Sequence, residues 1–384
     1  MDTDISRKRI YLDHAATTMI RPEVREVMLP AFSMPGNPSS VHKEGQQARK
    51  LLEEARKSIA ASLHAQNDEI FFTSGGTESD NWAVKGVADA LGSSKRHIIT
   101  SAIEHPAVLE SCRYFEQKGY SLTILPVDRY GFVSPDSLAK ALTPDTALVS
   151  IMLANNEIGT LEPITELSAI AHQSGALFHT DAVQAVGTIP VDVDDLGVDL
   201  LSFSAHKFHG PRGIGGLYIR KGTDISSFMN GGAQEFTHRA GTENLPGAVG
   251  MAKALELSVA EMKETETHIR NLRDLLIRSV CSAYTDAFVN GHPDTHLSGI
   301  VNFSFPEKDG EKLLLMLNLR GFACSGGAAC SSRSSAVSHV LTAIGLSEKE
   351  AKSSLRISLG RSNTEEEIRS FVSVLVELLK SQDS

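Results

Sequence analysis

The chain has 384 residues, of which 41% are apolar and 22% charged, and its 37 Lys and Arg against 47 Asp and Glu give a formal net charge of −10. This composition excludes an intrinsically disordered chain, and the acidic balance disfavours binding to nucleic acid or to a membrane surface, since both need a cationic face. Four cysteines are too few to crosslink the two or three domains that this length predicts, so we expect a reducing compartment.

The N-terminal residues give no sign of export. Met1–Arg9 is polar and charged and lacks the apolar stretch of a secretory signal. The apolar run Leu313–Leu317 is far shorter than the ~20 residues that span a bilayer. We therefore expect a soluble, cytoplasmic protein.

Between about residues 41 and 220, helical patterns alternate with short apolar runs. Val41–Leu63 and Glu78–Ala90 have the composition of helices. The predicted strands are Glu69–Thr73, His97–Ser101, Ser121–Val127, Ala147–Ala154, Ala176–Thr180 and Leu200–Ser204. Such βα repetition predicts a mainly parallel sheet, in which ligands bind beyond the carboxyl ends of the strands.

The pattern changes from about Asn244 onward. The amphipathic stretch Ala248–Cys281 predicts one long connecting helix. Beyond it we predict, in chain order, the strand Gly299–Phe305, the helix Asp309–Leu319, the strand Leu355–Leu359 and the helix Thr364–Leu379. These elements predict a smaller α+β domain, with the boundary near residue 255.

Three motifs follow predicted strands. Lys207 lies in a Gly-rich, aromatic neighbourhood that could desolvate its amine into a nucleophile, although most lysines are solvated surface residues. Asp181 ends a strand, and a buried carboxylate there needs a cation, either a protonated pyridine nitrogen or an arginine. The turn Thr73–Ser79 contains Gly75-Gly76 and could cradle a phosphate at a helix N-terminus, or simply cap that helix.

A fourth motif runs from Cys324 to Ser335 and consists mostly of small polar residues. Such residues cannot fill a core, so we expect a mobile exposed loop on which the thiol of Cys330 can react as thiolate. Cys324 is expected mainly to pack, and its spacing from Cys330 leaves a regulatory disulfide open. Cys112 and Cys281 lie in helical stretches and are expected to be core fillers.

Many further motifs occur in one order along nearly the whole chain. They are Tyr11–Thr18, Gly36–His42, Phe72–Asn81, Glu104–Val108, Asn155–Thr160, Arg239–Asn244, Ala329–Cys330, Ser338–Leu341 and Arg356–Arg361. Together with the Asp181 and Lys207 motifs they resemble the cysteine desulfurases of the NifS/IscS type, which are pyridoxal-phosphate enzymes of the class V aminotransferase fold. Each motif alone is a weak signal, but the ordered set is specific.

That resemblance implies a fold and a domain division. The fold is that of the fold type I pyridoxal-phosphate enzymes, an α/β architecture with a mainly parallel, seven-stranded sheet in a large domain of residues 16–255. A smaller α+β domain would comprise residues 1–15 and 256–384 and carry the catalytic cysteine loop at about residues 324–338.

The resemblance also implies roles for individual residues. Lys207 would hold pyridoxal 5'-phosphate through its amine, Asp181 would keep the ring nitrogen protonated, and His105 would stack on the ring. The remaining cofactor contacts would come from Gly76, Thr77, Asn155, Gln184, Ser204 and His206, and from Thr242 across a homodimer interface. Asn37 and Arg356 would hold the substrate carboxylate, for which a guanidinium fork is suited. No metal site is predicted.

The implied activity is the conversion of L-cysteine to L-alanine. Lys207 would remove the Cα proton, and Cys330 would attack the substrate sulfur and carry it as a persulfide to an acceptor protein. Iron–sulfur cluster assembly and tRNA thiolation are two routes for that sulfur. Alternatives are a selenocysteine lyase or another class V enzyme such as an aminotransferase, which needs no thiol, and a non-catalytic scaffold, which needs neither Lys207 nor Asp181.

Some positions depart from the family pattern. Phe236 and Thr237 stand where many relatives have Arg and Gly. In the cysteine loop, Gly327-Ala328, Arg333 and Ala336-Val337 also differ from common residues. We expect these departures to affect partner choice and loop motion more than the chemistry.

Overall fold

A computed structural model describes residues 9–92, 94–326 and 337–382. Cys330 and residues 327–336 of the predicted cysteine loop therefore lie outside the described residues.

The strands, in chain order, are β1 (Ile10–Tyr11), β2 (Ile70–Thr73), β3 (His97–Ser101), β4 (Ser121–Leu125), β5 (Thr146–Ser150), β6 (Leu177–Asp181), β7 (Leu200–Ser204), β8 (Gly215–Ile219), β9 (Phe288–Asn290), β10 (Ile300–Ser304), β11 (Phe322–Ala323), β12 (Ser325–Gly326) and β13 (Ser354–Ser358). The helices are α1 (Pro22–Phe32), α2 (Lys43–Leu63), α3 (Gly76–Leu91), α4 (Pro106–Glu116), α5 (Pro135–Ala141), α6 (Ile164–Gln173), α7 (Val193–Leu196), α8 (Leu245–Ala260), α9 (Met262–Ala283), α10 (Gly310–Leu319), α11 (His339–Ala343), α12 (Glu348–Lys352) and α13 (Glu365–Ser381). Short 3₁₀ turns span Asn67–Glu69, Ala205–Lys207 and Glu235–Thr237. Among the described residues, no helix combines the length and apolar character that crossing a membrane requires.

The larger sheet has seven strands in the order β2-β8-β7-β6-β5-β3-β4. Strands β3 to β7 pair in parallel, while β8 runs antiparallel to both of its neighbours, β2 and β7. Alternate side chains pack on opposite faces, as Leu201 and Leu200 of β7 do, because successive strand residues point in opposite directions. The predicted mainly parallel, seven-stranded sheet is confirmed.

A second sheet has the order β12-β13-β10-β9, and its paired strands are antiparallel. Its core combines strand residues such as Phe303 and Ile357 with Leu276 of α9 and Phe371 of α13. The N-terminal strand β1 pairs with β11, and Leu12 is buried in this second core. Residues 10–12 therefore lie beside the C-terminal half of the chain. The exact domain boundary near residue 255 stays a prediction.

The prediction of one helix over Ala248–Cys281 is wrong. Helix α8 ends at Ala260 and α9 begins at Met262, with Glu261 between them in a non-helical conformation. The Glu261 carboxylate accepts hydrogen bonds from Arg21 at 2.8 and 2.9 Å and lies 2.9 Å from Arg361. Because α8 packs in the core of the larger sheet and α9 in that of the smaller one, the break lets the chain pass between the two cores.

Candidate active site

Residues from separate loops meet at the carboxyl edge of the parallel strands. Asp181 ends β6, and Lys207 follows β7 by one 3₁₀ turn. His105 lies between β3 and α4, and Asn155 follows β5. Parallel strands end at the same edge of a sheet, so their C-terminal residues come together there. We call Lys207, Asp181 and His105 the lysine site.

The Lys207 amine is half-buried and points at the N-terminal segment. Its Nζ donates to the carbonyl oxygens of Ala15 at 2.5 Å and Ala16 at 3.2 Å. Gln184 Nε2 donates to the same Ala15 oxygen at 3.0 Å. Residues 15 and 16 thus form one wall of the lysine site, although the sequence motif they belong to contains no group expected to react.

Asp181 interacts with two other buried carboxyl groups, Asp80 and Glu104, and its electrostatic surroundings differ from theirs. Burial raises the pKa of Asp181, but the charges of His105 and Lys207 oppose that rise. Burial and neighbouring carboxylates raise the pKa of Asp80 and of Glu104 well above the usual range. Since only a few charges can be held in so dry a region, we assign the negative charge to Asp181, on which the positive charge of Lys207 acts.

His105 and Asn155 are held by their own loops. His105 caps α4 through Nδ1, which accepts a hydrogen bond from the Ala107 N–H at 3.1 Å, and burial lowers its pKa. The Asn155 side chain is fully buried and organises its turn, since Oδ1 accepts from Glu157 and Ile158 and Nδ2 donates to the Ile103 carbonyl. A neutral imidazole with a fixed ring is suited to stacking on a planar ligand.

A cavity of about 340 Å³ adjoins the lysine site at the start of α3, and we call it the phosphate cavity. It is lined by Thr17, the turn residues 74–78, Ser204, His206, Arg212 and Gly213. Within the described ranges no side chain caps the N-terminus of the 16-residue helix α3, so its first N–H groups face this space. A Cβ on Gly76 would lie 2.7 Å from Val183, so only glycine leaves the turn this close to the strand end.

Hydrogen-bonding groups and one cation, Arg212, converge on the phosphate cavity. Burial, helped by the charges of Lys207 and Arg212, lowers the pKa of His206 to about 4, so its imidazole is neutral and its Nδ1 lies 3.1 Å from Thr17 Oγ1. Arg212 is exposed along the cavity rim. Backbone N–H groups, hydroxyls and a guanidinium form a donor set that matches a phosphate dianion.

Glu78 links the phosphate cavity to a distant part of the chain. Its Oε2 accepts from the Ser74 N–H at 2.9 Å, and its Oε1 accepts from Arg239 Nε at 2.9 Å. Arg239 lies three residues before Thr242, which is exposed and does not line this cavity. The predicted role of Thr242 in a neighbouring subunit stays a prediction.

The segment before Thr242 is bent in an unusual way. Glu235, Phe236 and Thr237 have φ values of 44°, 54° and 74°, a left-handed region that costs free energy for residues with a side chain. Glu235 is held there by a buried, two-pronged ion pair with Arg56 at 2.9 Å and by the Phe72 N–H at 2.8 Å. Phe236 covers the same guanidinium, 5.0 Å from its ring centre. Phe236, which stands where many relatives have Arg, thus packs on the ion pair between Arg56 and Glu235.

A second cluster of polar groups surrounds Arg356, and we call it the arginine site. Arg356 is 1% exposed, and its Nη2 donates to Asp13 Oδ1 and its Nη1 to the Asn156 carbonyl, both at 2.9 Å. Its buried Nε has no hydrogen-bond partner among the described residues. A buried N–H without a partner calls for an acceptor, and a carboxylate supplies one.

Asn37 is not part of this cluster in the single chain. It lies on the exposed loop between α1 and α2, where Oδ1 accepts from the Ser39 N–H at 2.8 Å. The predicted pairing of Asn37 with Arg356 on one carboxylate stays a prediction.

The described cysteines are poor nucleophiles. Burial raises the pKa of Cys112 and of Cys324 to about 12, so both thiols are protonated at neutral pH. Cys324 lies between β11 and β12 and packs on the second core, as does Cys281. The expectation that these three fill cores is confirmed, whereas Cys330 lies outside the described residues.

Three residues of the site were not predicted from the sequence. Arg212 could have been found, because it is a cation in the Gly-rich stretch five residues after Lys207. Asp13 and Glu78 stand within motifs that were recognised, but nothing local marks them as partners of arginines 343 and 161 residues away.

Known proteins match this chain over almost its whole length. A family model described as Aminotransferase class-V matches residues 10–371. A protein of Dictyoglomus turgidum named cysteine desulfurase IscS is 52% identical over 375 residues, which are 97% of this chain and 95% of that protein. One of the same name from Methanosarcina thermophila is 50% identical over 97% of this chain and 92% of that protein.

Solved structures also superpose on most of the chain. A NifS-like protein superposes with a TM-score of 0.92 at 40% identity, covering 97% of this chain and all of that one. A structure described as SspA in complex with cysteine superposes with a TM-score of 0.82 at 36% identity, covering 92% of this chain and 99% of that one.

Proposed function

This chain belongs to the class-V aminotransferase family and is a cysteine desulfurase, and from that premise we propose which of its residues perform the reaction. The observation that carries the proposal is the lysine site, where a half-buried amine and a buried carboxylate share one sheet edge with the phosphate cavity. These groups match the amine-reactive, ring and phosphate parts of pyridoxal phosphate.

The residues present fit this cofactor. The phosphate cavity would take the phosphate group through the α3 N-terminus, Thr77, Ser204 and His206, with Arg212 adding a charge. Asp181 would accept a hydrogen bond from the protonated ring nitrogen, and His105 would lie against the ring. When bound, pyridoxal phosphate supplies an electron-accepting ring joined to the substrate amine, which weakens the bonds at the substrate Cα.

The chain's own groups then hold the substrate and move protons. The buried Nε of Arg356, which has no acceptor within the described part of the chain, would donate to the substrate carboxylate. The Lys207 amine would take the proton from the substrate Cα and return a proton to the product. Walls from residues 15 and 16 and the buried strand ends keep water from this proton.

We propose Cys330 as the group that takes the sulfur. Its thiolate attacks the sulfur of L-cysteine, so that an S–S bond forms while the substrate C–S bond breaks. The electron pair of that C–S bond stays with carbon, which takes up a proton and leaves as L-alanine. Two sulfur atoms are oxidised as the carbon is reduced, so no external oxidant is needed, and Cys330 ends as a persulfide.

We extend the proposal to partners. A homodimer would let Thr242 reach the neighbouring phosphate cavity, and its exposure in the single chain is compatible with that role. A protein thiol would accept the persulfide sulfur, in the cytoplasm.

The test is mass spectrometry of the holoenzyme after brief treatment with L-cysteine. The peptide that contains Cys330 should gain one sulfur atom, and stoichiometric L-alanine should appear. Cys330→Ser should lose both products while it keeps bound cofactor, and Cys281→Ser, which changes a partly buried packing thiol, should retain both. Added sulfur on Cys324 instead of Cys330 would contradict the assignment.

A further inference from the structure

On both sides of the segment that contains Cys330, the described residues lie near the arginine site. On the upstream side, Ser325 of β12 pairs directly with Arg356 of β13. On the downstream side, Ser338 lies eight residues after Cys330 and is 4% exposed. Its hydroxyl donates to Glu157 Oε2 at 2.5 Å. Residues 325 and 338 are thus held near the same guanidinium by separate contacts.

Glu157 lies in the turn after β5 of the larger sheet and connects Ser338 to Arg356. Its neighbour Asn156 provides the carbonyl that accepts from Arg356 Nη1, and the charge of Arg356 acts on the Glu157 carboxyl itself. The Glu157 carbonyl accepts from Asn302 of β10, the strand beside β13. Glu157 is therefore bound to both sheets.

The contact made by Ser338 is part of a larger docking of α11. His339 Nε2 lies 2.9 Å from the Glu104 carbonyl, next to His105. Val340 and Leu341 are buried against Ile103 and Ile158, in the loops that hold the lysine site. Apolar packing of this kind holds the helix in place without specifying its rotation, whereas a short charge-assisted hydrogen bond does specify it.

We propose that Glu157 is a positioning residue for sulfur transfer: through Ser338 it fixes the downstream end of the Cys330 segment beside Arg356. The inference rests on the proposed function of Cys330. A carboxylate suits this task because it accepts the Ser338 hydroxyl more strongly than an amide would, while Ser338 at the same time caps α11 by accepting from the Leu341 N–H. Burial raises the pKa of Glu157 to about 7, so the ionised form is substantially populated at and above neutral pH.

The experiment measures a single turnover of holoenzyme with L-cysteine, quenched and followed by the mass of the Cys330 peptide. Glu157→Gln and Ser338→Ala should each slow the gain of sulfur about tenfold, because small misplacement of a reacting group is costly. The double variant should be no slower than the slower single variant, since both break one contact. Ser338→Thr keeps the hydroxyl and should restore the rate.

One further readout and one control variant distinguish a positioning role from a general disturbance of the fold. The affinity for L-alanine, read from the visible spectrum of the bound cofactor, should stay within about twofold of wild type in every variant, because Arg356 keeps its partners. The control is Ser347→Ala, which removes a similar serine–glutamate contact, to Glu350 at 2.6 Å, from the cap of the exposed helix α12. This control should transfer sulfur at the wild-type rate.

Near-wild-type transfer rates in both single variants would overturn the inference, and so would an equal loss in the Ser347→Ala control. A fall in alanine affinity that parallels the loss of rate would also overturn it, since Glu157 would then act on the substrate through Arg356. If wild-type Cys330 gains no sulfur, the proposed function fails and this inference fails with it. If wild type gains sulfur on Cys330 and the variants do so at the same rate, this inference fails and the proposed function stands.

Discussion

The lysine site and the arginine site lie in one active-site region, yet the chain builds them in different ways. Asp181 ends β6, and Lys207 follows the adjacent strand β7 of the same sheet by one short turn. Arg356 lies on the other sheet, and its partners Asp13 and Asn156 come from the N-terminal segment and from the larger sheet. The first site is a property of one sheet, and the second exists only where the two sheets meet.

This difference separates two kinds of function. A site at the ends of buried strands is rigid before any ligand arrives, which suits a group that stays bound through many turnovers. A site assembled between two sheets responds to how these sheets pack, which suits a substrate that enters and leaves. Changes at the lysine site should therefore affect the cofactor, and changes at the arginine site should affect substrate and transfer.

The largest effect is expected at the lysine site. Lys207→Ala should remove the visible absorbance of the purified protein and lower turnover on the order of 10⁴-fold, because in our proposal one amine both holds the cofactor and moves the Cα proton. Absorbance spectra and alanine production measure this. Lys221→Ala, whose amine pairs with Asp68 at the surface, is the matched control and should behave as wild type. A retained absorbance band in Lys207→Ala would refute the lysine assignment.

A smaller and more selective effect is expected at the arginine site. Arg356→Lys keeps the charge but loses the fork, so kcat/KM for L-cysteine should fall about 10- to 100-fold while the cofactor spectrum is retained. Steady-state kinetics and spectra together measure this. Arg361→Lys alters a partly exposed arginine of the same motif and should change little. Loss of cofactor from Arg356→Lys would erase the distinction between the two sites.

The smallest expected effect is on the pH dependence of the free energy of unfolding, and it comes from Glu157 at the edge of the arginine site. Glu157 keeps its proton up to a pKa of about 7 when folded, against 4.5 ordinarily, because burial outweighs the opposing effects of Ser338 and Arg356. The stabilisation from this proton is complete below about pH 4.5 and is lost as pH rises through 7. Relative to wild type, Glu157→Gln should gain roughly 1–2 kcal/mol of unfolding free energy between pH 5 and pH 8.

Denaturant unfolding at a series of pH values measures this shift. The exposed Glu350 provides a control of opposite sign, since its hydrogen bonds with Ser347 lower its pKa and favour the ionised form in the folded state. Glu350→Gln should therefore lose stability relative to wild type as pH rises toward 4.5, and the difference should stay constant between pH 5 and pH 8. An unchanged pH profile in Glu157→Gln would show that this carboxyl is ionised throughout the range.

Local patterns determined much of the fold. The strands His97–Ser101 and Leu200–Ser204 have the predicted bounds, and α2 begins two residues after its predicted start. The strand β8 was not predicted, because its glycines hide the apolar pattern. Gly216 is required there by the ring of Phe203, which a Cβ would approach to 2.1 Å. This requirement comes from the packing of β8 against β7, so the pattern of apolar residues within β8 does not show it.

By itself the sequence determined the parallel sheet, the strand ends at Asp181 and before Lys207, and the Gly75-Gly76 turn before α3, because each depends on a few consecutive residues. Only the tertiary structure decided the break at Glu261, the pairing of Arg356 with Asp13, and the contact of Glu157 with Ser338, which lie 181 residues apart. The physical reason is that periodicity reports which side chains are buried, whereas the partner of a buried charge depends on which distant surfaces pack together.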